Sequence, residues 1–417
     1  MSDEITPEQA ALHFARKGKL MTQTEIMNQT EDYVLHTYNR FPVVLDRGDG
    51  VRLRDCDGKE YLDFMSGIGV HALGYHFPGY DEALIAQIGK LTHSSNLYFH
   101  LPLKEASEKY VHSTGMAKAF FTNSGTEAIE GALKAARKYS YQKYGAGRSE
   151  IISMKDSFHG RTAFAVTVTG NEHYQEPFRP LVGGVKYADY NDLESVKALL
   201  TDKTCCIILE TLQGEGGIFP AEPAFLKGIR ELCDEKDLVL ILDEVQCGMG
   251  RTGAMWAYEH YGVRPDIVCS AKALGCGIPV GAFALNGKLA DASLAPGDHG
   301  TTYGGNPFAM AAVSKVFDLF AEHDIVGHVN ELAPYLEQKL NDLKAAHPCI
   351  REQRGMGLMR GLQLDDSVQA SSVASRALEK GLLVITAGHN VLRLLPPLVI
   401  TAADVDEAVS ILDLCFL

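Results

Sequence analysis

Between about residues 120 and 290 the chain alternates short apolar runs with longer amphipathic stretches. The runs over 151–154, 205–209, 238–242, 267–270 and 281–285 lack internal polar alternation, which predicts strands buried on both faces. Stretches 126–141 and 222–235 space their apolar residues three and four apart, which predicts helices between those strands. Strands separated by helices imply an α/β domain whose parallel sheet is covered on both sides. Ligands bind such sheets in the loops at the carboxyl ends of the strands. Past about residue 305 the texture changes to long helices over 306–322 and 327–347, then strands near 358–364, 382–386 and 391–395. That pattern predicts a smaller α+β domain closing over the first. The opening 75 residues mix a polar helix candidate with short strands, such as 51–55 and its turn at Asp57-Gly58. The expected division is therefore 1–75 as an N-terminal segment of the small domain, 76–305 as the large domain and 306–417 as the C-terminal small domain.

Composition narrows the partners. With 39 basic and 53 acidic residues the formal charge is 39 − 53 = −14, which argues against nucleic acid and against an anionic membrane surface. Nine cysteines are scattered without a Cys-x-x-Cys pair or zinc-type spacing, so reduced buried thiols and no metal are expected. The start, Met-Ser-Asp-Glu-Ile-Thr-Pro, is acidic where a signal peptide is basic, and no apolar run is long enough to span a bilayer. A cytoplasmic protein acting on small molecules is the expectation.

Several segments carry candidate chemistry, each with a plainer reading beside it. Thr122-Asn-Ser124-Gly125-Thr126-Glu127 opens a helix with glycine and hydroxyls, which is either a phosphate cradle or an ordinary cap. Ser157-Phe158-His159-Gly160-Arg161 offers a flat ring and a planar guanidinium, or else a core Phe beside a surface Arg. The apolar strand ending in Asp243-Glu244-Val245-Gln246 has the look of an ATPase strand, yet no Gly-Lys pair is followed by Ser or Thr. Gly248-x-Gly250-x-x-Gly253 matches a dinucleotide fingerprint, but two acids stand where a pyrophosphate would sit. A third reading sets Asp243 against a protonated heteroaromatic nitrogen, with Gln246 beside it. Lys272, 29 residues further on among small residues, is suited to forming an imine with a carbonyl. Gly300-Thr301-Thr302-Tyr303-Gly304-Gly305 is a glycine-framed hydroxyl loop that suits either phosphate contacts or helix capping. Arg393, in an apolar strand, needs a partner, and Glu215 in Gln213-Gly-Glu-Gly-Gly217 is the candidate.

In this order the segments resemble fold-type I, pyridoxal-phosphate-dependent aminotransferases of the ornithine/4-aminobutyrate subgroup, from about Tyr38 to the C-terminus. Thr37-Tyr-Asn-Arg-Phe-Pro42, Ser95-Asn-Leu-Tyr98 and Arg354-Gly-Met-Gly-Leu358 are most similar to the N-acetylornithine branch. The resemblance implies a mostly parallel seven-stranded sheet sandwiched by helices, plus the smaller α+β domain. It implies pyridoxal 5'-phosphate covalently on Lys272, with Asp243 at the ring nitrogen, Gln246 at the ring hydroxyl and Phe158 on the ring face. Ser124, Gly125 and Thr126 would hold the phosphate, Val245 would contact the cofactor, and Thr302 would reach the phosphate of a neighbouring subunit in a homodimer. Arg161 with Thr301 would take the donor's carboxylate, and Glu215 would alternately close and release Arg393 for 2-oxoglutarate. The implied reaction moves the δ-amino group of N2-acetylornithine to 2-oxoglutarate in arginine biosynthesis. Succinyl-diaminopimelate, ornithine and 4-aminobutyrate are alternative donors, and an aminomutase or decarboxylase is the rival chemistry. Two residues depart from the family's pattern: Thr211 where proline is usual, and Cys276 within what is more often a triple glycine.

Overall fold

The computed structural model describes residues 21–416, so the acidic start read against a signal peptide lies outside the described residues. Seven strands form the main sheet in the order Lys118–Thr122, Gly281–Leu285, Ile267–Ser270, Val239–Asp243, Thr204–Glu210, Glu150–Met154, Val185–Ala188. Four of its six pairings are parallel. Gly281–Leu285 runs antiparallel to both neighbours. The apolar pattern located this strand, but direction is set by its connection. The ten residues between Ser270 and Gly281 are too few for a covering helix and return the chain the opposite way. The strands Lys118–Thr122 and Val185–Ala188 were not expected, because Lys118, Lys186 and Tyr187 break the apolar run at the edges.

Helix Gly125–Tyr144 packs against this sheet through Ala128, Ile129, Ala132, Leu133 and Ala136, all buried. Burying each Ile or Leu stabilises the fold by ~1.5–3 kcal/mol. Small residues let the helix approach closely: a Cβ on Gly131 would sit 2.2 Å from the Phe283 ring. That proximity fixes the height of the helix start above the sheet. Ser124 caps the start, its side chain accepting from the Glu127 N–H.

Ile350–Met356, Met359–Leu364, Val391–Leu394 and Ile385–Ala387 form an antiparallel sheet of four. The single strand expected near 382–386 is divided. Leu382–Leu383 instead pairs in parallel with Glu60–Asp63, tying the C-terminal segment to the N-terminal strands. Helices Pro307–Glu322 and Ile325–Ala346 bridge the two parts. Among the described residues, no helix is long and apolar enough to cross a membrane.

Candidate active site

Strands Thr204–Glu210 and Val239–Asp243 run parallel in a register that sets Glu210 beside Asp243 at their carboxyl ends. A cavity of about 470 Å3 opens above them, between the start of helix Gly125–Tyr144 and the turn after Ile267–Ser270. Ten of the expected residues line it: Ser124, Gly125, Thr126, Phe158, Arg161, Glu215, Asp243, Val245, Gln246 and Lys272.

At one end the helix start turns its N–H groups to the cavity. Among the described residues those of Gly125 and Thr126 have no acceptor. Two glycines keep this corner open. A Cβ at Gly125 would come within 2.9 Å of Val245 Cγ1, and one at Gly160, where φ is +132°, within 2.1 Å of Thr126 Oγ1. Unsatisfied helix N–H groups and the positive end of the dipole suit an anion.

At the floor Asp243 is buried and held on both sides. Its Oδ1 accepts from the Val245 N–H at 2.9 Å, and its Oδ2 lies 2.8 Å from His159 Nδ1. The sequence reading gave His159 no partner. The missing signal was spatial, because the loop after Glu150–Met154 and the strand holding Asp243 meet only in the fold. Phe158, next to it, meets Tyr174 edge-on with centroids 5.8 Å apart.

Lys272 sits in a single tight turn, Lys272–Leu274, with φ +50°. A side-chain-bearing residue there is strained, and such strain concentrates at functional sites. Its amine makes no hydrogen bond or ion pair with any described residue. Burial lowers its pKa despite the attraction of Glu215.

The two arginines differ. Arg393 is 1% exposed; Nη1 donates to Glu215 Oε1 at 2.7 Å and Nη2 to Oε2 at 3.3 Å. Nη1 also donates to Gln246 Oε1 at 3.1 Å. Burial raises the Glu215 pKa, but the Arg393 guanidinium outweighs it and leaves the carboxyl below its ordinary range. Arg161 is exposed, its guanidinium 4.1 Å from the Tyr174 ring centroid and 5.4 Å from that of Phe158. No carboxylate of the described residues pairs with it.

Arg393 touches the cavity through Glu215, and Thr301 through Asn123, whose Nδ2 donates to Thr301 Oγ1 at 3.2 Å. Thr302 is exposed and is not brought to the cavity of its own chain. Glu210 was missed by the sequence reading. It lines the cavity, and burial pushes its carboxyl up to about 7. Of the two departures, Thr211 donates through its hydroxyl to Glu244 Oε1 at 2.6 Å, replacing a ring by a hydrogen bond to a buried carboxylate. Cys276 is buried and its thiol is pushed up to about 11, which leaves it an unreactive packing residue at neutral pH.

The family model for class-III aminotransferases matches residues 33–416. An acetylornithine aminotransferase of Caldanaerobacter subterraneus is 46% identical over 91% of this chain and 96% of its own. One from Methanocaldococcus jannaschii is 45% identical over 95% of this chain and 99% of its own. The crystal structure of Toxoplasma gondii ornithine aminotransferase superposes with a TM-score of 0.92 at 30% identity, covering 99% of this chain and 98% of that one. An unpaired lysine, a buried Asp and an open anion corner around one cavity agree with those relationships. The chain belongs to the class-III aminotransferases, and its activity is that of a pyridoxal-phosphate-dependent transaminase.

Proposed function

We propose that the protein transfers the δ-amino group of N2-acetylornithine to 2-oxoglutarate, using pyridoxal 5'-phosphate carried on Lys272. The residues around the cavity suit that cofactor: an anion corner at Gly125 and Thr126, an unpaired amine at Lys272, and a fixed carboxylate at Asp243. When bound, the cofactor supplies an electron-poor ring that stabilises negative charge on the carbon beside the substrate nitrogen.

The protein's residues do the rest. Asp243, oriented by His159, would keep a proton on the ring nitrogen, while Phe158, Gln246 and Val245, which line the same cavity, would hold the ring. Lys272, freed when the substrate's amine takes its place on the cofactor and with its basicity reduced by burial, would accept the proton from the substrate carbon and return it to the carbon on the other side of the substrate nitrogen. Arg161, with Thr301 near it, receives the donor's carboxylate.

Glu215 and Arg393 let one site serve two substrates. Closed, the pair presents no net charge to a donor whose reacting carbon bears no carboxylate. Open, Arg393 binds the α-carboxylate of 2-oxoglutarate. The pair spans the proposed division of the chain, with Glu215 in 76–305 and Arg393 in 306–417. The single observation that carries the reading is this contrast, at the cavity of Lys272, between a buried arginine closed by Glu215 and an exposed one with no carboxylate partner among the described residues. A one-substrate aminomutase or decarboxylase has no use for a closable arginine.

A homodimer with shared sites completes the proposal. Thr302 would reach the partner's phosphate corner. Asn96, which donates to the carbonyls of Thr301 at 3.0 Å and Gly304 at 2.9 Å, joins that loop to Leu97, Tyr98 and Phe99. Those three are 88%, 69% and 103% exposed, an apolar strip that suits a second copy. The names of the curated relatives support acetylornithine as donor and hence a cytoplasmic role in arginine biosynthesis.

The test is the visible spectrum of the purified protein. N2-acetylornithine should abolish the bound cofactor's absorbance band, and 2-oxoglutarate should restore it. A band that ignores N2-acetylornithine but responds to ornithine, 4-aminobutyrate or succinyl-diaminopimelate would move the substrate. No band after reconstitution with the cofactor would remove Lys272 from its role.

A further inference from the structure

Glu210, 5% exposed, ends strand Thr204–Glu210 and lines the cavity, and no role above uses it. Its two oxygens are divided between two loops. Oε1 accepts from the Phe158 N–H at 2.9 Å, and Oε2 accepts from the Gly214 N–H at 2.9 Å. The first loop carries Phe158, His159 and Arg161; the second carries Glu215. The second loop has further anchors farther out. Gln213 Nε2 donates to the Lys155 carbonyl at 2.9 Å, and the Glu215 carbonyl accepts from the Gly388 N–H at 2.8 Å.

We propose that Glu210 is a positioning residue that holds the fixed-arginine loop and the gate loop in register, and so helps set the preference for ω-amines over α-amino dicarboxylates. This rests on the transaminase reading with Glu215 as gate. The argument is one of acceptor count. Both N–H groups point at the same side chain from opposite loops, and only a carboxylate offers each an acceptor oxygen. A glutamine of the same shape turns one NH2 against one of these N–H groups, releasing that loop while the outer contacts keep the chain folded. With the Gly214 tie loosened, Glu215 covers Arg393 less completely, and a donor bearing an α-carboxylate gains access.

The experiment compares Glu210→Gln and Glu210→Asp with the wild type in two measurements. The first is amide exchange at Phe158 and Gly214 in cofactor-free protein, relative to intrinsic rates. The second is the ratio of kcat/KM for N2-acetylornithine to that for glutamate as donor. Glu210→Gln should expose at least one of the two amides and lower the ratio by about tenfold, the equivalent of ~1.4 kcal/mol. Glu210→Asp keeps both acceptors on a shorter stem and should fall between. Wild-type protection at both amides, or an equal loss for both donors with the ratio unchanged, would overturn the proposal. If the glutamine variant does not fold, the aspartate variant decides by the same criteria. If the wild type ignores N2-acetylornithine, the substrate assignment fails separately and amide exchange still decides the clamp.

Discussion

Arg161 and Arg393 stand in opposite conditions at the cavity that holds Lys272, Arg161 lining it and Arg393 reaching it through Glu215. Arg161 is exposed, rests against the Tyr174 and Phe158 rings and has no carboxylate partner among the described residues. Arg393 is buried in strand Val391–Leu394 and closed by Glu215 through two hydrogen bonds. An exposed guanidinium remains solvated until a ligand arrives and can serve one anion without rearrangement. A buried one cannot stand alone, since an unpaired internal charge costs several kcal/mol, so its counter-charge must either stay or be replaced by the ligand's. On the proposed reading, this contrast lets one cavity be neutral to one substrate and cationic to the next.

Removing the amine that both arginines serve has the largest expected effect. Lys272→Ala should slow both half-reactions by about 10²–10⁴-fold, the usual contribution of a positioned proton-transfer group. Retained turnover in either half would separate the arginines from the chemistry. Next comes Arg393→Ala, which leaves the half-buried Glu215 uncompensated. It should destabilise the fold by ~1–3 kcal/mol in chemical unfolding, and single-turnover measurements should show loss chiefly with 2-oxoglutarate. Arg161→Ala should raise KM for N2-acetylornithine about tenfold, one lost charge-assisted hydrogen bond, with an unchanged unfolding midpoint. If the stability effects of the two arginine variants came out alike, the comparison would collapse.

The smallest effect is in pH. The Glu215 carboxyl is held below its ordinary range in the fold, so the pair contributes stability above the unfolded carboxylate range. That contribution is lost as pH falls through the folded value. The unfolding free energy of the wild type should therefore decline more steeply with acid than that of Glu215→Gln; parallel pH profiles would show the pair to be energetically idle.

Much of this was legible in the chain. Buried parallel strands are uniformly apolar, so Val239–Asp243 and Ile267–Ser270 stood out; the first ends at Asp243 and the second two residues before Lys272. Arg393 betrayed its need for a partner by its apolar surroundings, and the Glu215 pairing follows. The antiparallel run of Gly281–Leu285 was not legible, since period and composition do not encode direction. Nor was the part played by His159 and Glu210. Each acts through a partner 84 or 52 positions away, and nothing local distinguishes such residues from ordinary loop or strand ends.

The central claim is that Glu215 closes Arg393 to favour an ω-amine and releases it for the keto acid. The most direct test is the kcat/KM of Glu215→Ala for N2-acetylornithine against glutamate as donors, set beside the wild type. With the gate removed, Arg393 stays open, so the preference for N2-acetylornithine should fall by about tenfold or more while glutamate is used at least as well. An unchanged preference would contradict the account and reduce the Glu215–Arg393 pair to a structural salt bridge.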